Sequence, residues 1–202
     1  MADRSNGYAP GRARRERLLD AAIAAFGQSG FHTATLTDIA RACGISRPGL
    51  LHHFDSKEAL LTAVLERRDQ IDAEIFITAI DRSSSPLQAI VDIATANSKT
   101  TGLTELFAVL SAEATNPQHP AHDYFVALYT RLRTDLAAAL EAMRAAGELP
   151  ADQSPTELAN ELIALKDGFA LQSLLQPTAV QPATALAAAI KRLTGVTVTA
   201  AP

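Results

Sequence analysis

The chain has 202 residues, of which 48% are hydrophobic and 20% are charged, so it can bury a sizeable core and is not disordered throughout. Its single cysteine, Cys43, excludes an intrachain disulfide. The sequence has no apolar signal core and no apolar run of the roughly 18–20 residues that cross a bilayer. We therefore expect a cytoplasmic protein that does not contact a membrane.

Charge is distributed unevenly along the chain. The formal net charge is −4 at pH 7, which taken alone argues against a nucleic-acid partner. The first 57 residues nevertheless carry an excess of basic side chains. This asymmetry favours a small DNA-facing module on an acidic body, although a solvated basic face would give the same pattern. The basic residues up to position 57 are Arg4, Arg12, Arg14, Arg15, Arg17, Arg41, Arg47 and Lys57, against Asp3, Glu16, Asp20, Asp38 and Asp55.

Apolar residues at helical spacing, together with alanine-rich runs, predict an all-α protein of about nine helices. Gly30 is expected to end the first helix, and capping boxes begin at Thr35 and Ser154. Ser46 is expected to cap the third helix, whose first turn tolerates Pro48. The strand-like residues 196–199 are expected to be a frayed tail. The predicted helices cover about 11–29, 35–43, 46–53, 57–80, 87–99, 103–115, 121–146, 155–175 and 182–195.

The chain divides into three predicted parts. Residues 1–10 have no periodicity and are expected to form a disordered arm. Residues 11–56 are predicted to be a three-helix, helix-turn-helix DNA-binding domain. Residues 57–202 are predicted to be a larger helical bundle for ligand binding and dimerisation, joined to the first domain through helix 4 without a flexible linker.

The strongest pattern lies between Leu36 and Phe54, where two short helices are joined by a turn. A tight crossing needs a small residue inside the first helix, a turn residue that tolerates positive φ, and an apolar residue on the second helix. Ala40, Gly44 and Leu50 meet these needs in register. The pocket is completed by Ile39, Cys43, Ile45 and Phe54.

A plain helical hairpin is the alternative interpretation of this segment. A hairpin gives no reason for Arg47, His52 and Lys57 to cluster around the second helix, whereas reading of the major groove does. Arginine can donate two hydrogen bonds to a guanine edge, and Lys57 can neutralise a phosphate.

Three motifs in this region closely resemble the DNA-binding domain of the TetR family: Thr35-Leu36-Thr37-Asp38-Ile39-Ala40, Gly44-Ile45-Ser46, and Leu50-Leu51-His52-His53-Phe54-Asp55-Ser56-Lys57-Glu58-Ala59-Leu60. Ala25-Phe26 and Gly30-Phe31 at the end of helix 1 also match, and the resemblance covers about residues 12–65. It implies a homodimer with one recognition helix for each operator half-site.

The resemblance also implies roles for individual positions. Leu51 departs from the family, which usually has a phosphate-contacting tyrosine there, so that contact is left out. Pro48 and Gly49 offer few polar groups, which leaves much of the direct readout to Arg47. By position, Arg47, Pro48 and Gly49 begin the base-reading helix, His52 and His53 touch backbone or bases, and Thr35, Thr37 and Lys57 hold phosphates.

A basic run opens helix 1 and comprises Arg12, Arg14, Arg15 and Arg17. A mobile arm could place such residues on phosphates or in the minor groove, and Arg12 and Arg14 are the favoured contacts. The alternative is a solvated helix start.

No nucleophile elbow, phosphate loop or zinc-protease spacing is present, so we predict that the protein is not an enzyme and needs no cofactor. Helices 4–8 could instead enclose an apolar cavity for a small molecule, although the same side chains could be ordinary core. The candidates are Phe76, Asn97, Phe107, Leu110, Glu113, Tyr124, Tyr129, Asp167, Phe169 and Gln172. A metal site at Glu113, His119, His122 and Asp123 has no strong spacing motif, and solvated loop residues are favoured there.

The resemblance further implies that the last two long helices form a four-helix interface between protomers, with an intramolecular bundle as the alternative. We expect an inducer to favour a pose in which helix 4 swings and the recognition helices lose their spacing of about 34–36 Å. The alternatives are a ligand-independent regulator or activator, and a helical small-molecule-binding protein without DNA function. The interface candidates are Leu158, Leu162, Leu165, Gly168, Leu171, Leu174, Ala187, Ile190 and Leu193.

Overall fold

A computed structural model describes residues 8–81 and 85–200 of the chain. Within these ranges the backbone forms nine α-helices, which confirms the predicted all-α fold class. None of the described helices is both long enough and apolar enough to cross a membrane. The helices are α1 (Tyr8–Thr33), α2 (Leu36–Ala42), α3 (Arg47–Leu51), α4 (Lys57–Asp81), α5 (Pro86–Lys99), α6 (Thr101–Glu113), α7 (His122–Ala145), α8 (Pro155–Leu175) and α9 (Pro182–Thr194).

Several helix ends differ from the sequence prediction. The predicted disordered arm falls partly on residues 1–7, which lie outside the described ranges, while α1 already begins at Tyr8. α3 ends at Leu51, two residues earlier than expected. α6 begins at Thr101 because the Thr100 carbonyl accepts hydrogen bonds from Leu103 and Thr104, at 3.0 and 3.3 Å.

Serine and threonine caps define the starts of five of the described helices. Each cap hydroxyl accepts a hydrogen bond from the backbone N–H three residues on, which satisfies one of the otherwise unpaired donors of the first turn. Such a cap typically stabilises its helix by about 1 kcal/mol. The predicted caps of α2, α3 and α8 are thereby confirmed. The pairs are Thr35 with Asp38, Ser46 with Gly49, Ser56 with Ala59, Ser85 with Gln88, and Ser154 with Glu157.

The described chain separates into two compact units, of which the first comprises residues up to 69 together with 105–122. Its core contains the fully buried Leu18, Phe26, Leu60 and Leu110. The guanidinium of Arg67 on α4 lies 3.1 Å from the Glu16 carboxylate and 3.0 Å from that of Asp20, both on α1. The predicted domain boundary near residue 56 therefore lies inside this unit, which also takes in the end of α6.

The second unit comprises residues 70–104 and the chain from residue 123 onward. α9 packs against both α5 and α8, and α5 also contacts α8. Their apolar faces and that of α7 form one core, in which each fully buried leucine contributes about 1.5–3 kcal/mol relative to exposure. The fully buried side chains of this core include Leu87, Leu140, Leu158, Leu162, Leu186 and Ile190.

The segment after α9 is packed, so the expectation of a frayed tail was wrong. Val198 is buried in the core of the second unit. The Gln88 amide binds the Thr199 backbone twice: Nε2 donates to the carbonyl oxygen at 2.8 Å, and Oε1 accepts from the N–H at 3.0 Å. A side chain thus provides the two hydrogen bonds that a neighbouring strand would otherwise supply.

Candidate DNA-binding surface and C-terminal sites

The turn between α2 and α3 has the geometry that its sequence predicted. Ala40 is buried, and its carbonyl oxygen accepts hydrogen bonds from Cys43 at 3.1 Å and from Ile45 at 3.0 Å. Gly44 has φ +67°, a conformation that L side chains rarely adopt. The chain therefore reverses tightly enough for α3 to lie across α2.

Apolar side chains hold the two short helices together. Leu50 is completely buried, and Ile39 and Phe54 are almost so. Cys43 is half-buried, and its thiol donates to the Arg17 carbonyl oxygen at 3.4 Å. These contacts join α2 and α3 to α1, as a three-helix DNA-binding domain requires.

The start of α3 presents the residues predicted to read bases. Arg47 is the first residue of α3, and its side chain is exposed, as is that of Pro48. Gly49 is half-buried, and a Cβ there would lie 3.4 Å from the Ser46 hydroxyl and 3.7 Å from the Ile45 side chain. Arg47 is thus the long polar side chain at this end of the helix.

Two histidines follow α3. His52 is exposed and His53 is half-buried, with their ring centroids 5.8 Å apart. Both therefore lie just after the end of the recognition helix, and His52 is the more exposed of the two. Their contact with DNA stays a prediction.

The predicted phosphate contacts on α2 differ from one another. Thr37 is exposed, whereas the Thr35 hydroxyl donates to the Asp38 carboxylate at 2.6 Å and accepts from the Asp38 N–H. The bond from Thr35 is the main reason that the pKa of Asp38 is lowered, and Arg41 at 2.7 Å acts in the same direction. The Thr35 hydroxyl would have to leave Asp38 before it could donate to a phosphate.

Lys57 occupies the first position of α4 and is half-buried. Its Nζ donates to the His32 carbonyl oxygen at 3.2 Å and lies 4.5 Å from the centroid of the Phe31 ring. Burial lowers the pKa of Lys57, while the Glu58 and Glu113 carboxylates oppose that shift. The ammonium is therefore held in one place by the end of α1.

The basic run at the start of α1 is helical rather than part of an arm. Arg12 and Arg14 are both exposed, so they remain candidates for DNA contact. Arg15 of the same run has a contact that the sequence did not indicate: its guanidinium lies 5.0 Å from the Phe54 ring centroid and connects α1 to the segment after α3.

The candidate ligand residues are divided between the two units. In the first, Leu110 is ordinary core, and Phe107 is stacked under the buried Arg68 guanidinium at 3.7 Å, a contact that sequence reasoning did not foresee. The Glu113 carboxylate accepts a hydrogen bond from the Phe31 N–H at 2.8 Å. Glu113 thus connects α6 to the end of α1 within the first unit.

In the second unit the structure brings two of the candidates together. The Tyr129 hydroxyl donates to the Asp167 carboxylate at 2.7 Å, and Lys166 lies 3.0 Å from the same carboxylate. Phe169 packs against the core, and Asn97 and Tyr124 are half-buried. Phe76 and Gln172 are exposed. Tyr129 and Asp167 are therefore candidate residues of this unit that the structure brings into direct contact.

Two residues of the considered metal cluster lie together, since Nε2 of His119 is 3.5 Å from the Glu113 carboxylate, but the others do not join them. His119 is buried, and its Nδ1 accepts a hydrogen bond from the Ala121 N–H at 3.2 Å. Nδ1 of His122 lies 2.8 Å from the Ala114 carbonyl oxygen, and Asp123 is exposed. Across residues 8–81 and 85–200, no three His, Cys, Asp or Glu side chains are placed to share a metal ion.

The predicted dimer residues fall into two groups. Leu158, Leu162 and Ile190 are buried in the core of their own chain, which leaves them no surface for a second protomer. Leu171 is 51% exposed, and Leu175, one turn further along α8, is 74% exposed. A Cβ at Gly168 would meet no atom within 4 Å. The remaining predicted residues, Leu165, Leu174, Ala187 and Leu193, are half-buried.

The class of protein follows from this arrangement: an all-helical chain with a helix-turn-helix near its start has the architecture of a DNA-binding regulator. Residues 18–64 match the family model described as "Bacterial regulatory proteins, tetR family". Residues 86–196, more than half of the chain, match the model "BetI-type transcriptional repressor, C-terminal". The chain therefore belongs to the TetR family of transcriptional regulators, as the sequence resemblance predicted.

Individual relatives agree with this family. The chain is 47% identical over 51 residues to the HTH-type transcriptional regulator UidR of Escherichia coli K12, a match covering 25% of this chain and 26% of UidR. A TetR regulator of Chloroflexus aurantiacus has a TM-score of 0.77 at 22% identity and covers 92% of this chain and 98% of its own. A transcriptional regulator of Saccharomonospora viridis in complex with choline has a TM-score of 0.76 at 22% identity, covering 89% and 96%. The curated relatives are thus matched over about a quarter of their length, and the structures establish the fold.

Proposed function

We propose that this TetR-family regulator is a repressor that binds palindromic operator DNA as a homodimer and leaves it when a small molecule binds. The observation that carries the proposal is the exposed Arg47 at the first residue of α3, held by the Ser46 cap and the buried Leu50. An arginine fixed at the start of a recognition helix can donate two hydrogen bonds to guanine in the major groove. Operator binding also implies a cytoplasmic location.

The homodimer is supported by the exposed apolar side of α8. Leu171 and Leu175 lie one turn apart on this helix, and the space beside Gly168 is open. A second copy of the same helix would remove these side chains from water, and the absence of a side chain at Gly168 permits close approach. Two recognition helices are then available for the two half-sites of a palindrome.

The ligand is proposed to bind in the second unit near Tyr129 and Asp167. Their short hydrogen bond is half-buried, and ligand sites combine apolar walls with a few oriented polar groups. A ligand can release the operator only if it binds better to the conformation that does not fit DNA. Choline, which a protein of the same fold binds, is the first probe to titrate.

The proposal is tested by selecting bound fragments from random DNA with the purified full-length protein. We expect a palindromic consensus, retarded by wild-type protein and not by Arg47→Ala at the same concentration. A reporter gene carrying the selected site should be expressed less when the protein is present, which distinguishes a repressor from an activator. Recovery of fragments without a common sequence would contradict operator recognition.

A further inference from the structure

A three-residue turn at the end of α1 is bound by residues from two distant parts of the chain. Gly30 adopts φ +75° and ψ 171° and interrupts the helix there. The next N–H, of Phe31, donates to the Glu113 carboxylate at 2.8 Å, across 82 residues of sequence. The carbonyl oxygen of His32 accepts from Lys57 Nζ at 3.2 Å. The turn thus connects the end of α6 with the start of α4.

The contacts at this turn are closely packed. The Glu113 carboxylate occupies the position where a Cβ of residue 30 would be, so only glycine permits its approach. The buried His119 ring stands edge-on to the Phe31 ring, with centroids 5.4 Å apart. The Phe31 ring in turn lies under the Lys57 ammonium, 4.5 Å from its centroid. Movement of Glu113 would therefore free the surface on which Lys57 rests.

We propose that Glu113 is a positioning residue for DNA binding, which fixes the 30–32 turn so that Lys57 is held ready for a phosphate. The proposal rests on the phosphate contact of Lys57 in the proposed function. An ammonium that already has a carbonyl oxygen and a ring face on one side keeps donors for a phosphate on the other. Holding the side chain in advance removes part of the entropy cost of ordering it on the DNA.

The inference predicts a sequence-independent effect that depends on Lys57. Glu113→Ala should weaken binding by about two- to tenfold, which is the affinity usually lost when one long side chain must be ordered. The loss should be similar on the operator and on an unrelated duplex, because a phosphate contact does not read sequence. In a Lys57→Ala background, Glu113→Ala should cause no further loss.

The experiment measures dissociation constants by fluorescence anisotropy for wild type, both single variants and the double variant, after circular dichroism confirms folding. Glu113→Gln should restore binding, because its amide oxygen can accept from Phe31 N–H. Glu113→Asp, whose carboxylate is withdrawn by one methylene, should weaken binding like alanine and replaces Glu113→Ala if that variant unfolds. Glu105→Ala, on the same helix, is the matched control and should bind as wild type.

Equal weakening by Glu113→Ala with and without Lys57 would overturn the positioning role while leaving operator recognition intact. Binding that Glu113→Ala leaves unchanged, both with and without Lys57, would also overturn the positioning role. Failure of the wild-type protein to bind any duplex would overturn the proposed function and this inference together.

Discussion

The carboxylate of Glu113 lies against the backbone of Gly30, in the space that a side chain at position 30 would need. Gly30 has φ +75° and ψ 171°, a region that is essentially restricted to glycine. Gly44 also has a positive φ, but a Cβ there would meet no atom within 4 Å. A Cβ at position 30 would therefore meet both a backbone conformation restricted to glycine and the Glu113 carboxylate, whereas a Cβ at position 44 would meet backbone strain alone.

We expect Gly30→Ala to lower the free energy of unfolding by about 2–4 kcal/mol, because it adds the displacement of Glu113 to the backbone strain. Gly44→Ala should cost only about 1 kcal/mol. Urea denaturation of both variants beside wild type provides the measurement. Equal destabilisation by the two substitutions would show that the Glu113 contact contributes nothing.

Arg47→Ala should weaken operator binding by about 1–3 kcal/mol and relax the preference at one base pair of each half-site. The exposed guanidinium at the first residue of α3 is the physical reason. Competition gel shifts with operators altered one base pair at a time measure both effects. Arg41→Ala is the control, since Arg41 is exposed on α2 and paired with Asp38. An unaltered base preference in Arg47→Ala would remove its role in direct readout.

The helix-turn-helix could be predicted because its determinants lie close together in sequence. Ala40, Gly44 and Leu50 each satisfy a local steric requirement, and the structure places all three as expected. The contact of Glu113 with Phe31 spans 82 residues, and that of Gln88 with Thr199 spans 111. A side chain that binds a distant backbone group imposes no periodicity, so nothing in the sequence indicated either contact.

The dimer prediction shows a different limit of sequence reasoning. Helical spacing correctly identified Leu158 and Leu162 as members of an apolar face, and both are buried. Periodicity does not reveal whether such a face packs against its own chain or against a second protomer. Within α8, the first half faces the protomer core, while Leu171 and Leu175 at its end are exposed.

The stability of the protein should decrease in acid through His119. Burial lowers the pKa of His119 below its ordinary value of 6.5, and the Glu113 carboxylate only partly opposes this. Nε2 of His119 lies 3.5 Å from the Glu113 carboxylate, within ion-pair distance of a protonated ring but without a hydrogen bond to it. Protonation would also remove the acceptor at Nδ1 that binds the Ala121 N–H. The folded chain therefore favours the neutral ring.

Because the folded pKa is depressed, the unfolded chain binds this proton more readily, and stability is lost as the pH falls below about 6.5. One such group contributes a slope of up to about 1.4 kcal/mol per pH unit. Denaturation series between neutral and mildly acidic pH should show a shallower dependence for His119→Gln than for wild type. His52→Gln, which alters an exposed ring, is the control. An identical slope in His119→Gln would contradict this assignment.

The C-terminal segment should stabilise the second unit measurably. Val198→Ala should lower the free energy of unfolding by about 1–2 kcal/mol through lost burial. Gln88→Ala should cost about 2 kcal/mol, because both of its hydrogen bonds to Thr199 disappear. Thermal and urea unfolding measure the effects, with the exposed Thr197→Ala as control. Wild-type stability in both variants would mean that the tail is not docked in solution.

Charge placed on the exposed end of α8 should separate the protomers. Leu171 and Leu175 are the two exposed leucines of this helix, and burying an unpaired carboxylate costs several kcal/mol. Leu171→Glu with Leu175→Glu should therefore raise the dimer dissociation constant by about 100-fold or more. Sedimentation velocity at micromolar concentrations should then show a monomer, and operator affinity should fall because the half-sites are no longer bound together. Val126→Glu is the control, because it places the same charge at an exposed position of α7, and this variant should remain dimeric. A dimer that stays intact in the α8 variant would show that Leu171 and Leu175 do not form the interface.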